Sequence, residues 1–230
     1  MKVIIINGSP RRKGITAAIL HEIEQGLLVK GIEVMFYDLD AIKMAHCLGC
    51  CSCFQSGHCC IKDDAEKLSE QIAEADGVIL GSPTYASNVS GLMKDFIDRG
   101  HFVIEQLLHG KYCITVSTGE NYGNRDTSKV LGRLVVYSGG LISDSIVVKA
   151  PFEAAVLGNT QKQNGSDKEE RKSICSKAAE KMIREMKQRK KHPLQNLQHF
   201  IVLNIGIKPF VKKKGIAYQG VMEKWRKMGI

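Results

Sequence analysis

Six of the eight cysteines fall within fourteen residues, from Cys47 to Cys60. Cys47, Cys50 and Cys53 are spaced by three, and Cys59 returns after a turn that Gly57 permits, giving C-x2-C-x2-C-x5-C. Three thiolates so spaced can wrap one side of a small inorganic cluster while a fourth closes it. Thiolates are soft ligands that also suit zinc, and a loop of this kind can also hold unmetallated thiols, so spacing alone leaves the occupant open. Cys51 and Cys60 are then extra thiols. His46 and His58 read as exposed polar residues, and Cys113 and Cys175 as thiols of a strand and a helix rather than of a site. A disulfide framework is not expected of a chain whose start, a charged residue followed by a strand, lacks a secretion signal.

A second set of residues suits a phosphate. Gly8-Ser9-Pro10-Arg11-Arg12-Lys13-Gly14-Ile15-Thr16 joins a strand to a helix, where backbone amides carry partial positive charge. Ser9 and Thr16 add hydroxyls, and Arg11 or Arg12 adds a cation. Gly8 and Gly14 are separated by five residues rather than four and no Lys-Ser/Thr pair follows Gly14, which excludes a P-loop, and the three spaced glycines of a dinucleotide site are missing. Two more loops belong to the same set: Gly81-Ser82-Pro83-Thr84-Tyr85-Ala86-Ser87-Asn88-Val89-Ser90-Gly91 and Ser117-Thr118-Gly119-Glu120-Asn121-Tyr122-Gly123. Together they suit a planar, partly apolar, hydrogen-bonding ligand with a phosphate tail. FMN has that shape.

The elements that must position these loops follow from periodicity. Val3-Ile4-Ile5-Ile6 reads as a strand buried on both faces. A helical stripe runs from Ile15 to about Lys30 and stops at Gly31, and Glu33–Tyr37 reads as the next strand. Ala65, Leu68, Ile72 and Ala75 mark a helix, then Val78–Leu80, Tyr112–Val116 and Ser145–Val148 read as strands separated by helical stripes. Alternating strands and helices predict an α/β fold, a doubly wound five-stranded parallel sheet with the cysteine-rich loop after the second strand. Its carboxyl edge gathers the three loops, because ligands of open α/β sheets bind there. Residues 158–170 read as a linker, Ile174, Ala178, Met182 and Met186 as a long basic helix, and Pro209–Gly215 as a break before a last helix near Val221–Met228. The expected division is a domain over 1–157, with the cysteine loop at 46–62, and an arm over 158–230 that packs on it or on a second subunit.

The Gly-Ser-Pro-Arg start, Ser82-Pro83-Thr84-Tyr85, the run Lys94-Asp95-Phe96-Ile97-Asp98-Arg99 and the cysteine block ending in Asp63-Asp64 resemble NADPH-dependent FMN reductases, and more narrowly iron-sulfur flavoproteins. The ending Glu223–Gly229 is similar to the tail of such proteins. The resemblance implies a flavodoxin-like fold and an FMN-dependent oxidoreductase. By matching position, Ser9, Arg11, Gly14, Ile15 and Thr16 would take the phosphate. Pro83, Thr84, Tyr85, Ala86, Ser87 and Asn88 would flank the ring, and Thr118 and Gly119 would meet its pyrimidine side. Ile15 replaces an Asn frequent at that position, leaving only its amide to the phosphate. For the thiols the resemblance implies a [4Fe-4S] cluster on Cys47, Cys50, Cys53 and Cys59. It further implies an acidic ferredoxin-like donor, or NAD(P)H, and a homodimer or homotetramer. An NAD(P)H-dependent FMN or quinone reductase with an empty loop is the nearest alternative, and a zinc-containing FMN-binding or nucleic-acid-binding module a more distant one.

Composition sets the remaining limits. The chain has 230 residues with 43% hydrophobic and 25% charged residues, which suits a folded domain and not a disordered chain. The net charge of +9 is uneven, because residues 1–160 carry −3 and residues 161–230 carry +12. Apart from the widely spread Phe200, Phe210, Tyr218 and Trp225 the tail lacks interleaved aromatics, which argues against strong binding of single-stranded nucleic acid. No apolar run approaches the ~20 residues of a membrane span, so the expectation is a cytoplasmic protein without a membrane partner.

Overall fold

The computed structural model describes residues 1–149 and 165–230. The chain alternates as β1 (Lys2–Asn7), α1 (Ile15–Leu28), β2 (Glu33–Asp38), α2 (Ser52–Ser56), α3 (Asp64–Glu74), β3 (Gly77–Pro83), α4 (Gly91–Gly100), α5 (Phe102–Glu105), β4 (Tyr112–Gly119), α6 (Asn124–Tyr137) and β5 (Leu141–Lys149). It then continues as α7 (Gly165–Gln188), α8 (Pro193–Ile201), a π-helical segment (Val202–Ile207), α9 (Lys208–Lys214) and α10 (Gln219–Met228). The five strands are parallel in the order β2-β1-β3-β4-β5. That is the flavodoxin-like order, whose topological switch lies at the carboxyl ends of β1 and β3.

Strand alternation divides the core into two layers. Val3 and Ile5 of β1 pack with Ile19, Leu20, Ile23 and Leu27 of α1 and with Cys175, Ala178, Ala179 and Met182 of α7. Ile4 and Ile6 face the other way, onto Leu68 and Ile72 of α3, Met93 and Phe96 of α4 and Leu131 of α6. Val3 to Ile6 are fully buried, as the continuous apolar run required. Cys113 and Cys175 are buried thiols of these layers, and burial pushes each up to about 12.

Two expectations about the tail change. Residues 158–164 of the expected linker lie outside the described residues, and from Gly165 the chain is helical. Pro209 does not break the pattern: it occupies the first turn of α9, directly after the π-helical segment. A proline is tolerated there because its missing N–H lies where the ladder has already shifted register. The break falls instead at Gly215, with φ +55. A third, smaller apolar cluster joins Leu203, Ile207, Val211, Tyr218, Val221 and Trp225 of the tail to Phe54, Val103 and Ile104. The tail therefore folds back onto α2 and α5, beside the cysteine loop.

Candidate functional site

The three loops predicted to share one edge are tied to one another there. Gly8 N donates to Gly81 O at 2.8 Å, and Thr84 N donates to Thr118 O at 2.7 Å. The Thr16 and Thr118 hydroxyls lie 2.7 Å apart, joining the first helical turn of α1 to the end of β4. Ser90 caps α4 by accepting from Met93 N, and its hydroxyl donates to Gly8 O. Gly123 has φ +82, and a Cβ on it would stand 2.6 Å from Ser87 Cα, so the loop after β4 abuts the loop after β3. Only glycine meets both demands.

Two features of this edge fit an FMN. Gly14 opens α1 without a side-chain cap and no acidic residue stands in the first turn, so the first amides, including those of Ile15 and Thr16, are left for an anion. Within the loop Arg11 N donates to Ser9 Oγ and Gly14 N to Arg11 O, which folds Ser9, Arg11 and Gly14 around the helix start. Thr84 Oγ1, Ser117 Oγ and Asn124 Oδ1 are buried without a hydrogen-bond partner. Buried polar atoms left unpaired cost about 1–3 kcal/mol each, and such atoms cluster where a ligand completes them. Pro83 ends β3, and Tyr85 and Asn88 exchange both backbone hydrogen bonds across Ala86 and Ser87, which adopt φ +50 and +60. Two non-glycine residues in the left-handed region hold Tyr85, 47% exposed, at the rim. Gly119 ends β4, where Asn124 Nδ2 donates to its carbonyl at 3.0 Å.

The cysteine loop presents a different construction. Cys47, Cys50, Cys51, Cys53, Cys59 and Cys60 all line one cavity of about 310 Å³, together with Asp98, Arg99 and His101. The thiols share its wall without converging: among the described residues no three His, Cys, Asp or Glu side chains form a group ready to hold a metal ion. Cys50 and Cys60 sulfurs stand 3.4 Å apart, Cys53 lies 3.0 Å from His101 Nε2, and Arg99 donates toward Cys59 at 3.5 Å. The donor set, six soft thiols around one space, fits an iron-sulfur cluster.

Electrostatics differ from thiol to thiol. Hydrogen bonds from the Ser52 amide and from Cys60 hold the Cys50 thiol below its ordinary range. Burial pushes Cys53 up to about 12, with Glu105 and Cys59 adding to it. Burial also lowers His101 to about 4, helped by Lys224 and Arg99, so its ring is neutral at pH 7. His46 and His58 are exposed, as expected, and pair with Asp95 and Glu66.

Sequence reasoning gave no role to the residues that brace this loop. Arg99 pairs with Asp63 at 2.7 Å, and Glu105 with Lys224 of α10. Trp225 Nε1 donates to Ile104 O, Phe54 stacks on Tyr218, and a Cβ on Gly220 would stand 2.2 Å from Gly57 N. The visible signals were a cation, Arg99, closing an otherwise apolar helical stripe and a lone tryptophan near the chain's end. Helix α4 links the two constructions. Ser90 at its start holds the Gly8 loop and Arg99 near its end holds the cysteine loop, about 15 Å apart for a ten-residue helix.

The family model for NADPH-dependent FMN reductase matches residues 1–151. An iron-sulfur flavoprotein of Clostridioides difficile (strain 630) is 33% identical over the full length of both chains. An iron-sulfur flavoprotein of Methanocaldococcus jannaschii is 41% identical over 165 residues, 70% of this chain and 82% of that one. Among solved structures, a flavone reductase superposes with a TM-score of 0.61 at 19% identity, covering 81% of this chain and 63% of that one, a likeness of fold.

Proposed function

The chain belongs to the NADPH-dependent FMN reductase family and is an FMN-dependent oxidoreductase, and from that premise we propose that it is an iron-sulfur flavoprotein in which electrons pass between a [4Fe-4S] cluster and FMN. The observation that carries this reading is the cavity lined by six thiols at one end of α4, whose other end braces the phosphate loop. When bound, a cluster supplies single electrons and FMN accepts one or two, so the pair couples one-electron donors to two-electron acceptors.

The chain's own residues hold and orient. Ser9, Arg11, Gly14, Ile15 and Thr16 take the phosphate at the start of α1, where the uncapped amides favour an anion. Pro83 to Asn88 flank the ring with Tyr85 at its rim, and Thr118 and Gly119 border the other side beside the unpaired Thr84, Ser117 and Asn124 atoms. Cys47, Cys50, Cys53 and Cys59 hold the metal centre within residues 46–62 of the flavodoxin-like domain, 1–157. No acid-base group is assigned, because the cofactors carry the chemistry.

Residues 161–230 carry a net charge of +12 and α9 ends in three lysines, which suits docking of an acidic, ferredoxin-like donor. NAD(P)H is the donor the family name implies. Among the described residues no helix is long and apolar enough to cross a membrane.

The test is quantification of iron, sulfide and flavin in anaerobically purified protein, with its visible spectrum. Iron and sulfide at four per FMN agree with the reading. A pure flavin spectrum without iron replaces it with a cluster-free NAD(P)H-dependent reductase, and zinc with inertness toward every electron donor replaces it with a binding module.

A further inference from the structure

The cysteine loop starts and ends on one buried ion pair. The Arg99 side chain is 1% exposed and that of Asp63 11%. Arg99 Nη1 donates to Asp63 Oδ2 at 2.7 Å and to Ala45 O at 2.8 Å, while Nη2 donates to Asp63 Oδ1 at 2.7 Å and points at Cys59 Sγ, 3.5 Å away. Asp63 accepts in turn from Ala45 N at 3.0 Å and from Ala65 N at 3.1 Å, where it caps α3. Ala45 lies two residues before the first thiol of the loop and Asp63 three residues after the last. The fork therefore fixes both ends of the loop and aims one Nη2 donor at a thiol, while Nε is buried without a partner.

A buried ion pair is by itself weak evidence for stability, since desolvation offsets much of the attraction. Its direction is more informative. The guanidinium faces Cys59, and the carboxylate sits behind it, held by two backbone amides. The pair thus presents its positive end to the sulfur.

We propose that Arg99 and Asp63 are a positioning pair that sets the reduction potential of the cysteine site through Cys59. This rests on the reading that the thiols hold a one-electron cluster. Reduction adds one electron and no proton, so the site gains one negative charge. A fixed positive end beside a ligating sulfur favours the reduced form, and at a poorly solvated position that preference is weakly screened.

The pair makes two predictions of opposite sign. Arg99→Gln removes the donor and leaves the Asp63 carboxylate uncompensated beside the site, so the potential becomes more negative. Asp63→Asn removes the counter-charge and leaves the cation, so the potential becomes more positive. Arg99→Lys keeps the charge but loses the fork, and its potential falls between those of wild type and Arg99→Gln. A pair that only shaped the loop would lower iron occupancy without moving the potential in opposite directions.

The experiment uses the full chain, reconstituted anaerobically with iron and sulfide and titrated with dithionite while the reduced cluster signal is followed by electron paramagnetic resonance. Iron, sulfide and FMN contents are measured on the same samples. Opposite shifts for Arg99→Gln and Asp63→Asn support the proposal. Equal potentials, or shifts of the same sign, in an iron-loaded protein overturn it while leaving the functional reading intact, whereas a wild type that takes up no iron overturns both. If Arg99→Gln fails to fold, Arg99→Lys against Asp63→Asn gives the same contrast.

Discussion

The loops at the sheet edge are tied to one another largely through backbone groups, whereas the cysteine loop is tied by side chains that arrive from α3, α4, α5 and α10. At the edge, Gly8 N to Gly81 O and Thr84 N to Thr118 O continue the hydrogen bonding of the parallel sheet. Around the thiols, Arg99, Asp63, Glu105, Lys224 and Trp225 carry the contacts. A pocket of the first kind comes with the fold and tolerates changes far away. A site of the second kind depends on a distant part of the chain, here the last dozen residues. The tail is thus a brace for the thiols as well as a charged surface.

Changes on one side should leave the other intact, and the most severe is Cys50→Ala. It should abolish iron content and cluster absorbance while FMN stays stoichiometric; loss of both cofactors would show that the thiol loop also supports the flavin pocket and would break the contrast. Next comes Gly220→Val. Its Cβ would meet the Gly57 backbone, which cannot swing aside, and overpacking of this kind costs roughly 1–3 kcal/mol. Reconstituted iron should fall several-fold with flavin content unchanged, and an iron content equal to wild type would remove the tail from its bracing role.

Gly123→Ala probes the opposite side. The residue has φ +82 and its Cβ would press on Ser87, so fluorescence titration should show FMN binding weakened about tenfold, equivalent to roughly 1.4 kcal/mol, with iron unaffected. A milder effect concerns pH. Burial alone would raise Glu185, but Lys190, Ser143 and His192 outweigh it and hold the carboxyl below its ordinary 4.5. A depressed folded value means that this stabilisation is complete above that pH and is lost as the pH falls through the folded value. Circular dichroism of Glu185→Gln should therefore show lower stability at neutral pH and a flatter acid-unfolding profile, since the group pairs with Lys190 and His192 and so holds the segment that follows α7. The smallest expected effect is the fall with ionic strength in the rate of reduction by an acidic donor protein. A salt-independent rate removes the lysine-rich tail from docking.

Much of the sheet side was legible because its signals are local. Val3–Ile6 had to be a doubly buried strand, and Gly8 to Thr16 had to turn into a helix. With five strands alternating with helices, right-handed crossovers place the three loops on one edge. The unpaired buried atoms of Ser117 and Asn124 were not legible, because whether a polar atom finds a partner depends on neighbours distant in sequence. On the cysteine side the spacing was legible and the surroundings were not. Asp63 and Arg99 stood in plain view inside motifs, yet 36 residues separate them. Gly57 and Gly220 lie further apart still. Pro209 was misread because a π-helical register shift leaves no mark in the apolar pattern.

By itself the sequence determined the layered α/β architecture, the loop chemistry at its edge and the presence of a thiol-rich segment. These follow from hydrophobic period, turn residues and ligand spacing, each of which acts within a few residues along the chain. Only the tertiary structure decided that the thiols line one cavity, that the tail packs on α2 and α5 beside it and that an arginine faces Cys59. Such contacts are made between segments whose approach is set by the packing of whole layers, and a one-dimensional pattern carries no measure of that distance.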